Sequence, residues 1–120
     1  FEAAALGRAD FSEARLAQAN LEGAQAEQAD LSGADMQQSR LVRCALHGAS
    51  LREADLRNAD LSRADVSGAD CSRSRLGRAN LHRITEAAAD WTWANRGAAQ
   101  STDKDLAEAE DFVPRVPADT

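Results

Sequence analysis

The chain has 120 residues, a length that suits a single domain. Hydrophobic residues make up 43% of it but aromatic residues only 4%, which predicts a thin core built from Leu and Ala. The net charge of −6, without any basic patch interleaved with aromatic residues, argues against direct binding of nucleic acid. No apolar run is long enough to span a membrane, so we expect no membrane partner, and no signal peptide is visible.

A five-residue period dominates residues 1–83. It is clearest in residues 49–61, which read Ala-Ser-Leu-Arg-Glu, Ala-Asp-Leu-Arg-Asn, Ala-Asp-Leu. We call the Leu of each repeat the central position and the Ala two residues before it the small position. Most central positions hold Leu or another large apolar residue, and small positions hold Ala, Ser or Cys, without an insertion up to Leu81. A large and a small apolar side chain thus recur in register.

This period fits neither a helix nor a continuous strand. In an α-helix, at about 100° per residue, a five-residue step would carry the central position around every face. Within one repeat, however, Ala and Leu are two residues apart, the spacing that places two side chains on one face of an extended segment. The next Ala follows after three residues, so the chain must turn a corner in each repeat to keep both side chains inward. Repeated corners predict a solenoid.

The repeats resemble those of the pentapeptide-repeat family over residues 1–83. The resemblance implies an all-β solenoid, the right-handed quadrilateral β-helix of that family, with four pentapeptides per coil and about four coils in this chain. Residue n would then lie over residue n+20, one strand spacing of about 4.8 Å away. Asp, Asn and Ser suit the corners, because they bond nearby backbone groups. Six glycines are expected to supply positive φ there: Gly7, Gly23, Gly33, Gly48, Gly68 and Gly77.

Residues with reactive side chains show no arrangement typical of an enzyme. Cys44 and Cys71 fall on inward positions of different faces, so we expect two free core thiols and no disulfide. His47 and His82 are predicted to lie outward on different coils, with no nucleophile or base paired to them by spacing. There is no metal-ligand spacing and no phosphate-binding glycine motif. The sequence therefore predicts no enzyme activity, no metal and no cofactor.

Charged residues form columns under the twenty-residue rule. The acidic column consists of Asp10, Asp30, Ser50, Asp70 and Asp90. The arginine column consists of Arg43, Arg63 and Arg83. The mixed column consists of Arg15, Asp35, Asp55 and Arg75. Two interpretations are open: solvated corners, in which Asp serves the turn and Arg serves solubility, or a surface that binds a partner. Like charges about 5 Å apart repel unless something compensates them. We therefore predict Arg43, Arg63 and Arg83 as the partner-binding residues.

The N-terminal end of the repeats carries no capping sequence. Residues 1–5 already follow the five-residue pattern. An uncovered end of a β-helix exposes strand edges and core, which invites association. We therefore expect further residues upstream that cover this end, or a dimer formed through it.

The pattern changes after Leu81. Residues 84–98 are expected to form a degenerate last coil or a closing segment, because Glu86 occupies a central position. Within this segment, Trp91 and Trp93 are predicted to cover the open end of the core, with a ligand platform made of the two indoles as the alternative.

The last residues predict a helical cap. Residues 99–113 are expected to form a helix laid across the last coil, since Ser101 or Thr102 can cap its start and a proline follows its end. Leu106 and Phe112 belong to its apolar side. Residues 114–120 are expected to be a flexible tail.

The charge is distributed unevenly along the chain. Residues 1–85 carry 12 acids and 11 arginines, whereas residues 86–120 carry 8 acids and 3 bases. Some pentapeptide-repeat proteins imitate duplex DNA and bind type II topoisomerases, so the resemblance implies a DNA-mimicking inhibitor or protector of such an enzyme as one alternative. That role needs acidic lines that replace DNA phosphates, and here the repeat region is nearly neutral.

A second resemblance concerns the closing segment. Residues 78–82, the two tryptophans and residues 102–110 are similar to the end of bacterial proteins encoded with type VI secretion systems. This implies a cytoplasmic adaptor or chaperone that loads an effector or joins it to the secretion spike. We therefore predict a non-enzymatic protein-protein interaction module, the C-terminal part of a larger bacterial protein, with an effector or spike protein as its partner. A purely structural spacer, whose length alone matters, is a third alternative.

Overall fold

The computed structural model of the chain describes residues 5–97 and residue 99. Its β structure consists of single bridge residues spaced five apart, from Ala5 to Asn95. Fifteen parallel bridges each join a residue to the one twenty positions later, as in Asp35 to Asp55 and Asp55 to Arg75. The twenty-residue coil is therefore confirmed, and the described chain winds through between four and five coils.

The described residues contain no helix, and hence none that could cross a membrane. The predicted cap 99–113, with Leu106 and Phe112, and the predicted tail 114–120 lie outside them, apart from Ala99. Ala99 itself is not helical. Within the described residues the fold is a β-solenoid, and the helical cap stays a prediction.

Backbone hydrogen bonds tie each coil to the coils on both sides. Leu56 N–H donates to the carbonyl of Arg75 in the next coil at 2.7 Å, and Asp55 N–H donates to the carbonyl of Ala34 in the preceding coil at 2.9 Å. Because the same pattern recurs in nearly every repeat, the ladder continues along four sides of the rod. This ladder fixes which side chains share a column.

The inward positions form the core of the rod. Five successive central residues, which make one full coil and begin the next, are each at most 1% exposed: Leu41, Leu46, Leu51, Leu56 and Leu61. The small positions between them, such as Ala54 and Ala59, are equally buried. The two slots inferred from the five-residue period are therefore both core positions, one large and one small.

Each corner is a turn closed by a backbone hydrogen bond. In one example, Ala59 N–H donates to the carbonyl of Leu56 at 3.0 Å, and Asn58 between them has φ of 60°. Fourteen non-glycine residues adopt this left-handed conformation, together with Gly23, Gly33, Gly48 and Gly68. Turns of this type need positive φ at their second middle residue. Gly7 and Gly77 occupy the first middle position instead, so the expectation of positive φ was wrong for them.

Both cysteines lie in the core, as predicted. Cys44 and Cys71 are at most 1% exposed and are free thiols. Burial raises the pKa of each thiol to about 12, which keeps it protonated and unreactive at neutral pH.

The hydroxyl of Ser39 is buried at a small position and has no hydrogen-bond partner among the described residues. Ala59 and Ala79 occupy the same column, so a methyl group fits there. We expect Ser39→Ala to raise the free energy of unfolding by about 1 kcal/mol, because it removes an unsatisfied polar atom. The matched control is Ser74, whose hydroxyl donates to the carbonyl of Cys71 at 2.8 Å. Urea denaturation should show no gain for Ser74→Ala; equal gains in both variants would contradict this explanation.

The last described coil is closed by a polar cluster. Its central positions hold Glu86, Trp91 and Arg96. Arg96 lies over the Trp91 ring, 4.3 Å from the centroid, and donates to both Glu86 carboxylate oxygens at 3.2 and 3.3 Å. Since Glu86 and Arg96 are half a coil apart, their ion pair reaches across the end of the core. Trp91 packs against that core from the same coil.

Trp93 does not take part in this closure. It occupies the left-handed turn position, with φ of 60°, where side chains point outward, and it is 81% exposed. The predicted pair of covering indoles is therefore replaced by one indole, Trp91, together with Arg96 and Glu86.

Candidate protein-interaction surface

Most acids on the bridge positions belong to the turn that follows them. The backbone N–H of the first turn residue has no partner in the ladder, and the carboxylate two residues earlier accepts its hydrogen bond. Ser12 N–H, for example, donates to Asp10 Oδ1 at 2.9 Å, and the Ser12 hydroxyl donates to the same oxygen at 2.7 Å. Asn20 and Asn80 make the equivalent backbone bond through their amide oxygens. The acidic column is thus explained by turn structure.

These hydrogen bonds stabilise the ionised carboxylates. The side-chain and backbone hydrogen bonds from Ser67 hold the pKa of Asp65 below its usual value, and those from Thr92 do the same for the pKa of Asp90. The hydrogen bonds from Ser12 likewise lower the pKa of Asp10. A charge at these corners therefore reflects local backbone chemistry and needs no external cation.

Low pH is expected to reduce the contribution of the corner carboxylates to the stability of the fold. Because the pKa of Asp65 is lower in the folded state, its contribution to stability is complete above the usual value of 3.8 and is lost as the pH falls through the folded pKa. A variant with Asp10→Asn, Asp65→Asn and Asp90→Asn keeps the amide-oxygen acceptors, as Asn20 shows, but does not titrate. Its thermal midpoint should fall less than that of the parent between about pH 5 and about pH 2. Parallel acid losses in the two proteins would rule this explanation out.

The register brings the predicted arginine column together. Arg43, Arg63 and Arg83 occupy equivalent turn positions in successive coils, with φ of 57°, 61° and 55°. Arg43 is exposed, whereas Arg63 and Arg83 are half-buried and are not free side chains. The column exists as predicted, and Arg43 is its most accessible member.

The column next to the arginine column contains His82, whose burial differs from the prediction. His82 is only 7% exposed, although it was expected to face outward. Its backbone N–H donates to Asn80 Oδ1, which places it in a turn, and Val42 and Ser62 in the same column are half-buried. His47, in contrast, is exposed, with its Nδ1 3.0 Å from the Ser67 hydroxyl. Among the described residues, no group of His, Cys, Asp or Glu could hold a metal ion.

The mixed column lies along a surface groove of about 630 Å³, lined in part by Asp35, Glu53, Asp55, Arg73 and Arg75. Within it, Asp55 accepts two hydrogen bonds from the Arg57 guanidinium, at 2.9 and 2.7 Å. This contact is the largest cause of the lowered pKa of Asp55.

Sequence reasoning noted the mixed charges of this column but missed Trp93 in the adjoining corner column. The twenty-residue rule alone places Trp93 in the corner column of Arg73, because the two residues are twenty positions apart. That spacing was the signal that could have identified the pair.

Comparison with known proteins agrees with this architecture. The sequence matches the family model of pentapeptide repeats in eight copies, over residues 9–48 and 44–83. The structure is similar to that of a pentapeptide repeat protein from Nostoc Pcc 7120, with a TM-score of 0.54 and 30% identity, over 78% of this chain and 85% of that chain. It is also similar to the pentapeptide repeat protein Rfr23 from the cyanobacterium Cyanothece 51142, with a TM-score of 0.53 and 23% identity, over 82% of this chain.

The chain spans 61% of the length of Rfr23. No curated protein matches the sequence significantly. The matched repeats nevertheless cover well over half of the chain and coincide with the twenty-residue ladder. The chain therefore belongs to the pentapeptide repeat family, and its fold is the right-handed β-helix of that family.

Proposed function

We propose that this chain is a non-enzymatic module that binds another protein through its outward side chains. One observation carries the proposal: the cysteine thiols and the corner carboxylates are engaged in the fold itself, whereas several arginines are exposed. The thiols are buried, and the corner carboxylates accept hydrogen bonds from turn amides. Arg43, Arg73, Arg75 and Arg78 are exposed and hold positions that the register fixes. A rigid rod with cations at fixed spacings suits recognition of a protein surface.

The first candidate surface is the column of Arg43, Arg63 and Arg83. Neighbouring members lie one strand spacing apart, about 4.8 Å, so they present a line of positive charge. Replacing all three with Ala should weaken binding of the partner. A matched variant, Arg8→Ala with Arg15→Ala, removes exposed arginines from the first described coil and should bind normally. Circular dichroism would establish that both variants fold; full affinity in the folded triple variant would exclude this column.

We further propose that the whole protein is a cytoplasmic adaptor or chaperone linked to type VI secretion. The support is the resemblance of residues 78–82, the tryptophan segment and residues 102–110 to the ends of such bacterial proteins. The partner would be a secretion effector or a spike protein. A dimer joined through the N-terminal end of the coils is compatible with this role.

Charge distribution favours this role over DNA mimicry. Residues 5–97 carry thirteen acids and twelve arginines, so the rod has almost no net charge. The acids that do align in a column are those that hold the turns. A mimic of duplex DNA needs closely spaced uncompensated anions along its length.

Affinity purification of the full-length protein from its native cells, followed by mass spectrometry and a gyrase supercoiling assay, tests the proposal. Co-purification of effector or spike proteins, with supercoiling unaffected, is the expected result. Recovery of gyrase subunits together with inhibited supercoiling would favour topoisomerase protection or inhibition instead. Normal function in a variant whose outward arginines are all replaced would point to a structural spacer.

A further inference from the structure

The most exposed large apolar residue described in this chain lies beside a group of arginines. Trp93 is 81% exposed. It stands one coil after Arg73 in the same corner column, and Arg73 N–H donates to the carbonyl of Thr92 at 2.8 Å, which bonds the two coils at this point. Arg75 and Arg78 continue along the same side of the coil, and all three arginines are exposed. We call Arg73, Arg75, Arg78 and Trp93 the Arg/Trp face.

These arginines carry positive charge that is compensated only in part, through the interaction of Arg75 with the neighbouring Asp55 carboxylate. None of the three forms an ion pair or a side-chain hydrogen bond with another described residue. In the preceding coil, the acids on this side already have arginine neighbours: Asp55 is bound by Arg57 at 2.7 Å, and Glu53 lies 3.9 Å from Arg52. Residues 71–85 contain four arginines and no acid. A cationic surface is therefore concentrated on one side of one coil.

The neighbouring surface provides a track for an extended segment. The groove of about 630 Å³ runs from Asp35 past Asp55 to Arg73 and Arg75. Gly33, which carries no side chain, helps to line it, whereas the same corner column holds Glu13 and Glu53 in the coils on either side. Because Asp35, Glu53 and Asp55 line the rest of the groove, only its arginine end, beside the column that contains Trp93, can accept carboxylates.

We infer that the Arg/Trp face docks an acidic segment of the partner protein that also carries an apolar side chain. Carboxylates of that segment would pair with Arg73, Arg75 and Arg78, and its apolar side chain would cover the Trp93 indole. Trp and Arg are the residues most often responsible for binding energy in protein interfaces, and opposite charges steer such association. This inference rests on the proposed interaction function and names a surface and a partner chemistry for it.

The same surface fits a nucleic acid poorly. A phosphate backbone needs a continuous cationic groove. Here Glu53 and Asp55 lie in the adjacent coil, about 4.8 Å from the arginines, where they would repel successive phosphates. The basic surface extends over one coil only, which matches a short acidic peptide segment better than a nucleic-acid strand.

The test measures binding of a fluorescein-labelled peptide, in which Glu and Asp surround one Phe, to the full-length protein by fluorescence anisotropy. Arg73→Glu with Arg75→Glu should weaken binding roughly tenfold or more. The matched control is Arg8→Glu with Arg15→Glu, since Arg8 shares the left-handed turn position of Arg73 and Arg15 shares the bridge position of Arg75. The control variant should bind like the parent. Trp93→Ala should also weaken binding, and a Lys-for-acid version of the peptide should not bind.

Several results would overturn the inference. These are no binding of the acidic peptide, equal losses in the two charge-reversal variants, tighter binding of oligothymidylate than of the peptide, or displacement of the peptide by a synthetic peptide of this chain's own residues 101–113. If Arg73→Glu with Arg75→Glu still co-purifies the native partner at parental levels, this face is excluded while the proposed interaction function stands. If neither the parent protein nor the variant co-purifies a partner, the proposed function itself is refuted.

Discussion

Replacement of Leu56 by Ala is expected to lower the free energy of unfolding by about 2–5 kcal/mol. Leu56 is 1% exposed and lies in its column between Met36 and Leu76, both 0% exposed. The coils above and below are fixed by ladder hydrogen bonds of 2.7 and 2.9 Å. The surrounding residues therefore cannot move into the space that the Leu side chain leaves. The free energy cost of this cavity adds to the cost of the lost apolar burial. Chemical denaturation followed by circular dichroism measures the effect.

Leu6→Ala is the control for this prediction. Leu6 is also a central residue, but it is only half-buried in the first described coil. Its replacement should cost clearly less, because less apolar surface leaves the core and no closed cavity forms. Similar losses for the two variants would mean that burial at central positions does not determine stability.

The reverse exchange at the small position should also be destabilising. Ala54 is 0% exposed between Ala34 and Ser74 in its column. Ala54→Leu adds three carbon atoms to a slot without space, and we expect a loss of about 1–3 kcal/mol. At the outward position of Ala45, a Leu should change stability by no more than about 0.5 kcal/mol.

Combining the two exchanges sharpens the experiment. A variant with Ala54→Leu and Leu56→Ala has the composition of the parent, so total hydrophobicity is unchanged. If the slots are distinct, this variant should be at least as unstable as Leu56→Ala alone in the same denaturation experiment. Recovery of parental stability would show that the two positions are interchangeable, contrary to the proposed packing.

The five-residue period was sufficient to predict which side chains face inward. Cys44 and Cys71, for instance, were placed in the core because they fall on a small and a central position, and both are buried. Packing forces these choices, since a solenoid has a narrow interior. The twenty-residue register came from the family resemblance, and the bridge between Asp55 and Arg75 agrees with it.

Features set by backbone geometry could not be predicted in the same way. The second turn residue holds Arg, Gln, Glu, Asn, Ala, Trp or Gly. The residue types at that position therefore do not reveal its positive φ. Glycines at the first turn position wrongly suggested a positive φ there. The ladder and the turn hydrogen bond impose the conformation on whichever side chain is present, at a cost of roughly 1–2 kcal/mol for a non-glycine residue.

The end of the core was also only partly predictable. Glu86 and Arg96 interrupt the apolar pattern when they are considered one at a time, and the sequence indicated only a failed repeat. Their pairing depends on a distance across the coil, with Arg96 held over Trp91. The Arg/Trp face went unnoticed for a similar reason, because Arg73 and Trp93 are neighbours only through the register.

The most direct test of the central claim compares two sets of charge-removing variants for binding to the native partner by calorimetry. The first set replaces Asp10, Asp30, Asp70 and Asp90 with Asn, which keeps the amide-oxygen acceptors of the turns. The second set replaces Arg73 and Arg75, or the column of Arg43, Arg63 and Arg83, with Ala. We predict that the Asp→Asn protein retains its affinity and that at least one folded arginine variant loses it. Loss of affinity in the Asp→Asn protein, with the arginine variants unaffected, would contradict the account and support recognition of an acidic, DNA-like surface.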